Sequence, residues 1–350
     1  MSSKKYDLVG IGNALLDFQL EVTDAVLDEF QVKKASMTLV EATHQLKLLS
    51  ILREEKANKS ISISSGGSAA NTLAGFSNFG GKAAFIGKLG SDENGKTYVQ
   101  DLEKCGVSFN GRLEKELVTG SCLALITPDA ERTMLTSLGA AIELAESDID
   151  PELIKSSNVI YIEGYLWDSP SARRACQVAM KIARENNVKV AMSFSDAFCV
   201  DRHRADFMAL LKSKSLDYLF CNETEALSAA QTKNVQEAFE SLSSLCDHCY
   251  ISTGPRGALA SEGFGKLKEN VSTWDVELVD KIGAGDLFAS GVLYGITKNK
   301  SLRERAYLGC YSATRIIQQM SARLNGVSLA EELAIALKGP ASSGSVLMAL

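Results

Sequence analysis

The sequence predicts an α/β protein in which a mostly parallel, twisted sheet is covered by helices on both faces and carries a small β-sheet lid. Three observations point there. A short β-like run, a turn of Gly or Asn/Asp and an amphipathic helix recur along the chain, the order that builds parallel sheets. The runs are short and mostly apolar, as strands buried on both faces are. Two stretches, 17–40 and 117–138, break the rhythm with alternating residues and no long helix directly behind them.

The expected strands are 6–12, 60–64, 83–87, 158–163, 189–194, 217–220 and 248–252. The first lies in an apolar run from Leu8 to Leu16 behind Lys4 and Lys5, which superficially looks like a leader. Asp7 precedes it, Asn13 interrupts it and Asp17 follows where a cleavage site needs small residues, so it reads as a strand and its turn. In the first insertion Phe18-Gln19-Leu20-Glu21-Val22 alternates, and in the second 122–127 does, so each should bury one face. Two such segments pairing with each other would make a separate sheet over a cleft; edge hairpins of the main sheet are the alternative. Later in the chain Val235, Ala238, Phe239, Leu242 and Leu245 fall on one helical face, with Asn234 and Glu237 as a cap pair. The domain division that follows is an α/β body of 1–16, 41–116 and 139–338, a lid of 17–40 and 117–138, and a flexible tail of 339–350.

Composition sets the class. A chain of 350 residues with 45% apolar and 23% charged residues has the balance of a folded soluble enzyme. Its net charge of −6, with Lys and Arg dispersed, offers no footprint for nucleic acid or an anionic membrane. No stretch approaches the roughly 20 apolar residues of a membrane span. Eight scattered Cys fit a reducing compartment, so a cytoplasmic location is expected. Cys246-Asp247-His248-Cys249 has no second pair to complete a metal site, and no two of the three His are at ligand spacing.

The chemistry is concentrated in turns. Asp280-Lys281-Ile282-Gly283-Ala284-Gly285-Asp286 precedes an apolar helical run, Leu287 to Ile296. Small residues at a helix start leave N–H groups open to an anion, and Asp286 in the same turn can take a proton from an attacking hydroxyl. A capped Gly-rich turn is the plain alternative. Ser65-Gly66-Gly67-Ser68-Ala69-Ala70-Asn71 follows a strand and permits close ligand approach and a hinge, with the Asn71 amide in the first helical turn. Gly10-Ile11-Gly12-Asn13-Ala14-Leu15 lacks the third Gly of a dinucleotide fingerprint, which argues against a nicotinamide site. Asp17, just past it, can accept two hydroxyls. Asn222-Glu223-Thr224-Glu225 offers carboxylates for a hydrated Mg²⁺. Ser252-Thr253-Gly254-Pro255-Arg256-Gly257 offers a turn and a cation for phosphates.

Taken together and in this order, these elements resemble the PfkB, or ribokinase-like, family of carbohydrate and nucleoside kinases, from Gly10 to about Leu324. Gly66-Gly67 to Asn71, continued by Gly80-Gly81 and Gly87 to Gly95, looks like the family's first signature, and Asp280 to Asp286 like its second. The resemblance implies a ribokinase-like three-layer sandwich with a lid and transfer of the γ-phosphoryl group of ATP, with Mg²⁺, to a hydroxymethyl group. Asp286 would be the base and Gly283, Ala284 and Gly285 the anion hole. Asn13, Asp17, Gly66, Gly67 and Asn71 would hold the acceptor. Asn222, Thr253, Gly254, Arg256 and Gly257 would hold the nucleotide, with Glu225 near Mg²⁺ through water. Arg132, in the lid, would face the phosphates, a solvated lid charge being the alternative. Lys281 stands where Thr is usual; the backbone cradle does not need that side chain, and a nearby monovalent cation, found in some relatives, remains an open candidate.

Asn13 to Asp17, Gly66 to Thr72 and Glu163-Gly164-Tyr165-Leu166-Trp167-Asp168 look like the adenosine kinase branch, which phosphorylates adenosine to AMP in purine salvage. A purine needs flat apolar walls. Tyr165, Trp167, Phe194 and Phe198 are the candidates, with Tyr165 and Phe198 preferred; core aromatics are the alternative. A ribose or fructose kinase is the runner-up acceptor reading, and a non-catalytic nucleoside-binding protein the runner-up class. The expected partners are a nucleoside or sugar and ATP, with no nucleic acid or membrane, in a monomer or homodimer.

Overall fold

The computed structural model describes residues 4–34, 36–55, 61–129 and 131–340, with side chains excepted at 53–55. Most of the expected tail, from 341 on, lies outside the described residues. The main sheet has nine strands in the spatial order Leu267–Val271, Ala258–Glu262, His248–Ser252, Tyr218–Asn222, Lys189–Ser193, Ser157–Glu163, Tyr6–Ile11, Ala83–Ile86 and Val107–Phe109. Ala258–Glu262 pairs antiparallel with both of its neighbours, Leu267–Val271 and His248–Ser252, at one edge; every other pairing is parallel. The sequence pattern finds the parallel centre within a residue or two at most ends. It misses that antiparallel edge and the short Val107–Phe109 strand.

The strand pleat sorts the core into two layers, because successive side chains point to opposite faces. Leu8, Phe85, Tyr161 and Phe220 join one apolar cluster with the helices Ser68–Asn78, Ala284–Thr297 and Leu302–Ile316. Val9, Ile11, Ile160, Ile162 and Leu219 join the other, against Pro170–Glu185, Ala197–Lys212 and Val235–Ser243. Each fully buried Leu, Ile or Phe contributes about 1.5–3 kcal/mol. Ala284–Thr297 is buried from Leu287 to Ile296, as expected of a helix apolar all round and packed between others. Its approach to Ser68–Asn78 is close: a Cβ on Gly75 would stand 2.4 Å from Leu287. That contact brings the starts of the two helices together, and the site forms there.

The two inserted segments do pair with each other. Leu15–Glu21 runs parallel to Gly120–Ile126, which is antiparallel to Arg132–Ser137, with Met37–Leu39 at one edge of this five-stranded mixed sheet. Neither segment joins the main sheet, which excludes the edge-hairpin alternative. At the other edge lies Ser62–Ser65, expected among the main-sheet strands but bonded antiparallel to Leu15–Glu21. A second difference is that Gly120–Ile126 is buried on both faces except at its end. The helix Ala42–Glu55, anchored by Gln45 Nε2 on the carbonyls of Ser121 and Leu135, brings Leu48, Leu49 and Leu52 into the cluster of Phe18, Leu123 and Leu125. The opposite face, bearing Asp17 and Cys122 side by side, turns toward the body.

Candidate active site

The centre of the site is built from two helix starts. Gly283, with φ 74°, precedes the helix Ala284–Thr297 and puts Asp286 in its first turn. Asp286 Oδ1 accepts from Ser68 Oγ (2.6 Å) and Oδ2 from Asn71 Nδ2 (3.1 Å), both on the first turn of Ser68–Asn78. Burial pushes the Asp286 carboxyl up, while Ser68, Asn71 and the charge of Arg323 hold it down. Of the expected anion-hole groups, the Ala284 N–H donates to the Lys281 carbonyl (3.2 Å); those of Gly283 and Gly285 have no backbone partner among the described residues. A cavity of about 220 Å³ opens here, lined among others by Ser68, Asn222, Glu225, Lys281, Gly283 and Asp286.

Asp17 approaches from the lid. Burial pushes its carboxyl up to about 7 against the pull of Arg323 and Arg132, with Asp286 adding to the rise. It lies directly over the Gly66 turn: a Cβ on Gly66 would stand 2.4 Å from Asp17 Oδ2, so a side chain there would displace the carboxylate. The Gly66 carbonyl accepts from Tyr98 Oη and Arg323 Nη2, both at 3.1 Å. Asn71, expected to hold acceptor hydroxyls, is engaged at both ends of its amide, since Oδ1 accepts from Arg323 Nε (2.9 Å).

Two residues of this cluster were missed. Glu163, only 1% exposed, ends the strand Ser157–Glu163; Oε1 accepts the Asn13 N–H (2.7 Å) and Oε2 the Ala69 N–H (2.8 Å). It ties the first strand's turn to the helix Ser68–Asn78, and burial pushes its carboxyl up to about 7 despite those two donors. An acidic residue ending an apolar strand was the available signal. Arg323 gave none, because it lies in a loop beyond every motif.

Arg132 links the lid to the glycine element: its guanidinium pairs with the Asp280 carboxylate, which also accepts the Ile282 N–H (3.1 Å). The solvated-charge alternative fails, as both side chains are mostly buried. Asn222 and Glu225 form a reciprocal cap at the start of the helix Glu223–Ala230, with Asn222 Oδ1 accepting the Glu225 N–H (2.9 Å) and Glu225 Oε2 the Asn222 N–H (3.1 Å). Burial raises the Glu225 carboxyl to about 7. The Thr253 N–H donates to the Gly257 carbonyl (2.8 Å), closing the turn that contains Gly254, and Arg256 pairs with Glu223 beside Glu225.

The four aromatics separate. Phe194 stacks on Phe207 and Trp167 meets Phe207 edge-on, so both belong to the core and supply no wall. Tyr165 is half-buried, its N–H on Ser195 Oγ. Phe198 is 75% exposed in the first turn of Ala197–Lys212. Cys246 and Cys249 are buried, and burial raises both thiols. Among the described residues no three His, Cys, Asp or Glu converge to hold a metal ion, and no helix is long and apolar enough to cross a membrane.

A hydrogen-bonded acid at a glycine-cradled helix start, at the carboxyl ends of a parallel sheet and under a β lid, is the apparatus of a phosphotransferase acting on an alcohol group. Residues 32–328 match the pfkB family carbohydrate kinases, and the chain belongs to that family. The solved adenosine kinase of Sinorhizobium meliloti is 36% identical, with a TM-score of 0.86 over 95% of this chain and 99% of that one. A probable sugar kinase from Rhizobium etli CFN 42 gives the same values. The adenosine kinase of Saccharomyces cerevisiae is 27% identical over 89% of this chain and 95% of its own length. The protein is thus a PfkB-family phosphotransferase of the adenosine kinase-like type, and kinases of this family use ATP.

Proposed function

We propose that this kinase phosphorylates the 5′-hydroxymethyl of a ribonucleoside, adenosine above others, yielding AMP. One observation carries the reading: the Asp286 carboxylate, held by Ser68 and Asn71, stands at the glycine cradle, with the Asp17 carboxylate close enough for the two to repel. Asp286 takes the hydroxymethyl proton. The free N–H groups of Gly283 and Gly285 stabilise charge on the transferring group, with Ala284 completing the turn. Asp17, with the Asn13, Gly66 and Gly67 backbone around it, receives the ribose hydroxyls, and Asn71 orients the base. Tyr165 and the uncovered face of Phe198 flank the purine.

ATP, when bound, supplies the phosphoryl group. The cavity and unpaired N–H groups at Gly283 and Gly285 fit its terminal phosphates. Asn222, Thr253, Gly254, Arg256 and Gly257 serve the rest of the nucleotide, and Arg132 faces the phosphates once drawn from Asp280. For Mg²⁺ the fit is a single buried carboxylate, Glu225, lining the same cavity. One carboxylate suits an ion held mainly by water and phosphate oxygens.

The named adenosine kinases support adenosine as acceptor, while the Rhizobium etli relative keeps a ribose- or fructose-type sugar kinase as the second reading. The intact Asp286 cluster speaks against a non-catalytic binding protein. A coupled ADP assay across adenosine, inosine, guanosine, ribose and fructose decides: turnover is expected with adenosine, and turnover with the sugars alone would overturn the acceptor.

A further inference from the structure

We propose that Arg323 is a positioning residue for the Asp286 base and the acceptor turn, acting on both from behind through the Asn71 amide and the Gly66 carbonyl. The inference rests on the reading of Asp286 as the base. Arg323 follows the helix Leu302–Ile316 and is 5% exposed, so its partners are fixed by packing. Nε donates to Asn71 Oδ1 at 2.9 Å and Nη2 to the Gly66 carbonyl at 3.1 Å, with the Tyr98 ring 5.9 Å from the guanidinium carbon.

The chemistry of the chain Arg323, Asn71, Asp286 permits one arrangement. A guanidinium only donates and an ionised carboxylate only accepts, so the amide between them must turn oxygen to Arg323 and nitrogen to Asp286. Without Arg323 the amide loses its anchor on the oxygen side, and the side chain is free to swing away and loosen the donor that stands 3.1 Å from Asp286. The second arm fixes the Gly66 carbonyl and hence the turn beneath Asp17. One buried cation therefore registers base and acceptor site against each other, and its charge favours the ionised form of both carboxyls. The groups around Asp286 are otherwise acidic or phenolic: Asp17 from the lid, Glu163 and Tyr161 from the strand Ser157–Glu163, Tyr165 just beyond it, and Glu225. Lys281 lines the cavity in front. Behind Arg323 a second cavity of about 610 Å³, lined also by Ser65, Asn78, Asp101, Lys104 and Asn325, gives room for a small guanidinium.

The test compares Arg323→Gln, Arg323→Lys and Arg323→Ala with the wild type. Arg323→Gln is expected to lower kcat roughly 100-fold, the loss typical of a misplaced reacting group, with KM for ATP unchanged. The acid limb of kcat/KM should move to higher pH. Arg323→Lys should keep the limb near its wild-type position but lose kcat, because an ammonium cannot reproduce the fork. Ethylguanidinium, but not ethylammonium at equal ionic strength, should restore about tenfold or more of the rate to Arg323→Ala. The Asp286 carboxyl ¹³C titration, assigned with Asp286→Asn, gives a readout without turnover and should move upward in Arg323→Gln. Wild-type kcat and an unchanged Asp286 titration in Arg323→Gln would overturn the proposal, and full kcat in Arg323→Lys would overturn its orienting part. A wild type that makes no ADP, alongside a displaced titration in Arg323→Gln, would refute the kinase reading and uphold the role of Arg323.

Discussion

Replacing Glu163 by Gln isolates what an unpaired buried carboxylate does to this fold. Glu163 is 1% exposed, and its hydrogen-bond partners are the N–H groups of Asn13 and Ala69. Burial moves its carboxyl from 4.5 to about 7. The folded state thus holds the proton more tightly than the unfolded chain does. The associated stability is complete below the unfolded value of 4.5 and is lost as pH rises through about 7. Integrated between those values, the cost of ionisation is about 3 kcal/mol at pH 8 and under about 1 kcal/mol at pH 5. Gln has the shape of the protonated acid, with one acceptor and one donor face, and does not titrate. Glu163→Gln should therefore gain on the wild type by about 2–3 kcal/mol between pH 5 and pH 8. Urea unfolding at both pH values, followed by fluorescence and far-UV circular dichroism, measures this. The difference between the two proteins is the readout, because Asp17 and Glu225 titrate in the same window. A gap between the proteins that is constant with pH, or that favours the wild type more at pH 8, would refute the claim that desolvation outweighs the two N–H donors.

Two further predictions concern the site. Asp286→Ala should abolish ADP formation while leaving acceptor affinity, measured calorimetrically, within about a factor of ten; measurable turnover in that variant would remove Asp286 as the base. Gly66→Ala puts a Cβ where the Asp17 carboxylate lies, 2.4 Å away, so that carboxylate must move. Acceptor KM should rise by roughly 10–100-fold with KM for ATP little changed, and unaltered acceptor kinetics would mean that Asp17 does not form that wall.

Much of this molecule was legible in the sequence because the relevant physics is local. Apolar runs at strand spacing, glycines at turns and Asn234 before an amphipathic face each specify a conformation over a few residues. Asn234 does cap its helix, accepting from the N–H groups of Gln236 and Glu237. Asp286, Gly66 and Asp17 were visible for the same reason, since each sits in or beside a motif whose backbone conformation is locally dictated. Less legible were features set by partners distant in the chain. Ser62–Ser65 reads as another strand, but which sheet it joins depends on the free edge of Leu15–Glu21. Trp167 and Phe194 read as well as Tyr165 for a binding wall, and only the packing of Phe207 assigns them to the core.

The sequence by itself determined the parallel α/β body, the two alternating insertions and the glycine-rich helix start that carries Asp286, because pattern and turn chemistry are encoded residue by residue. Only the tertiary structure decided how the centre is held. Glu163 reaches Asn13 across 150 positions and Arg323 reaches Asn71 across 252, and no short window contains both members of either pair. Their roles arise from burial, which strips water from a carboxylate and a guanidinium and leaves backbone and side-chain groups of distant segments as their partners.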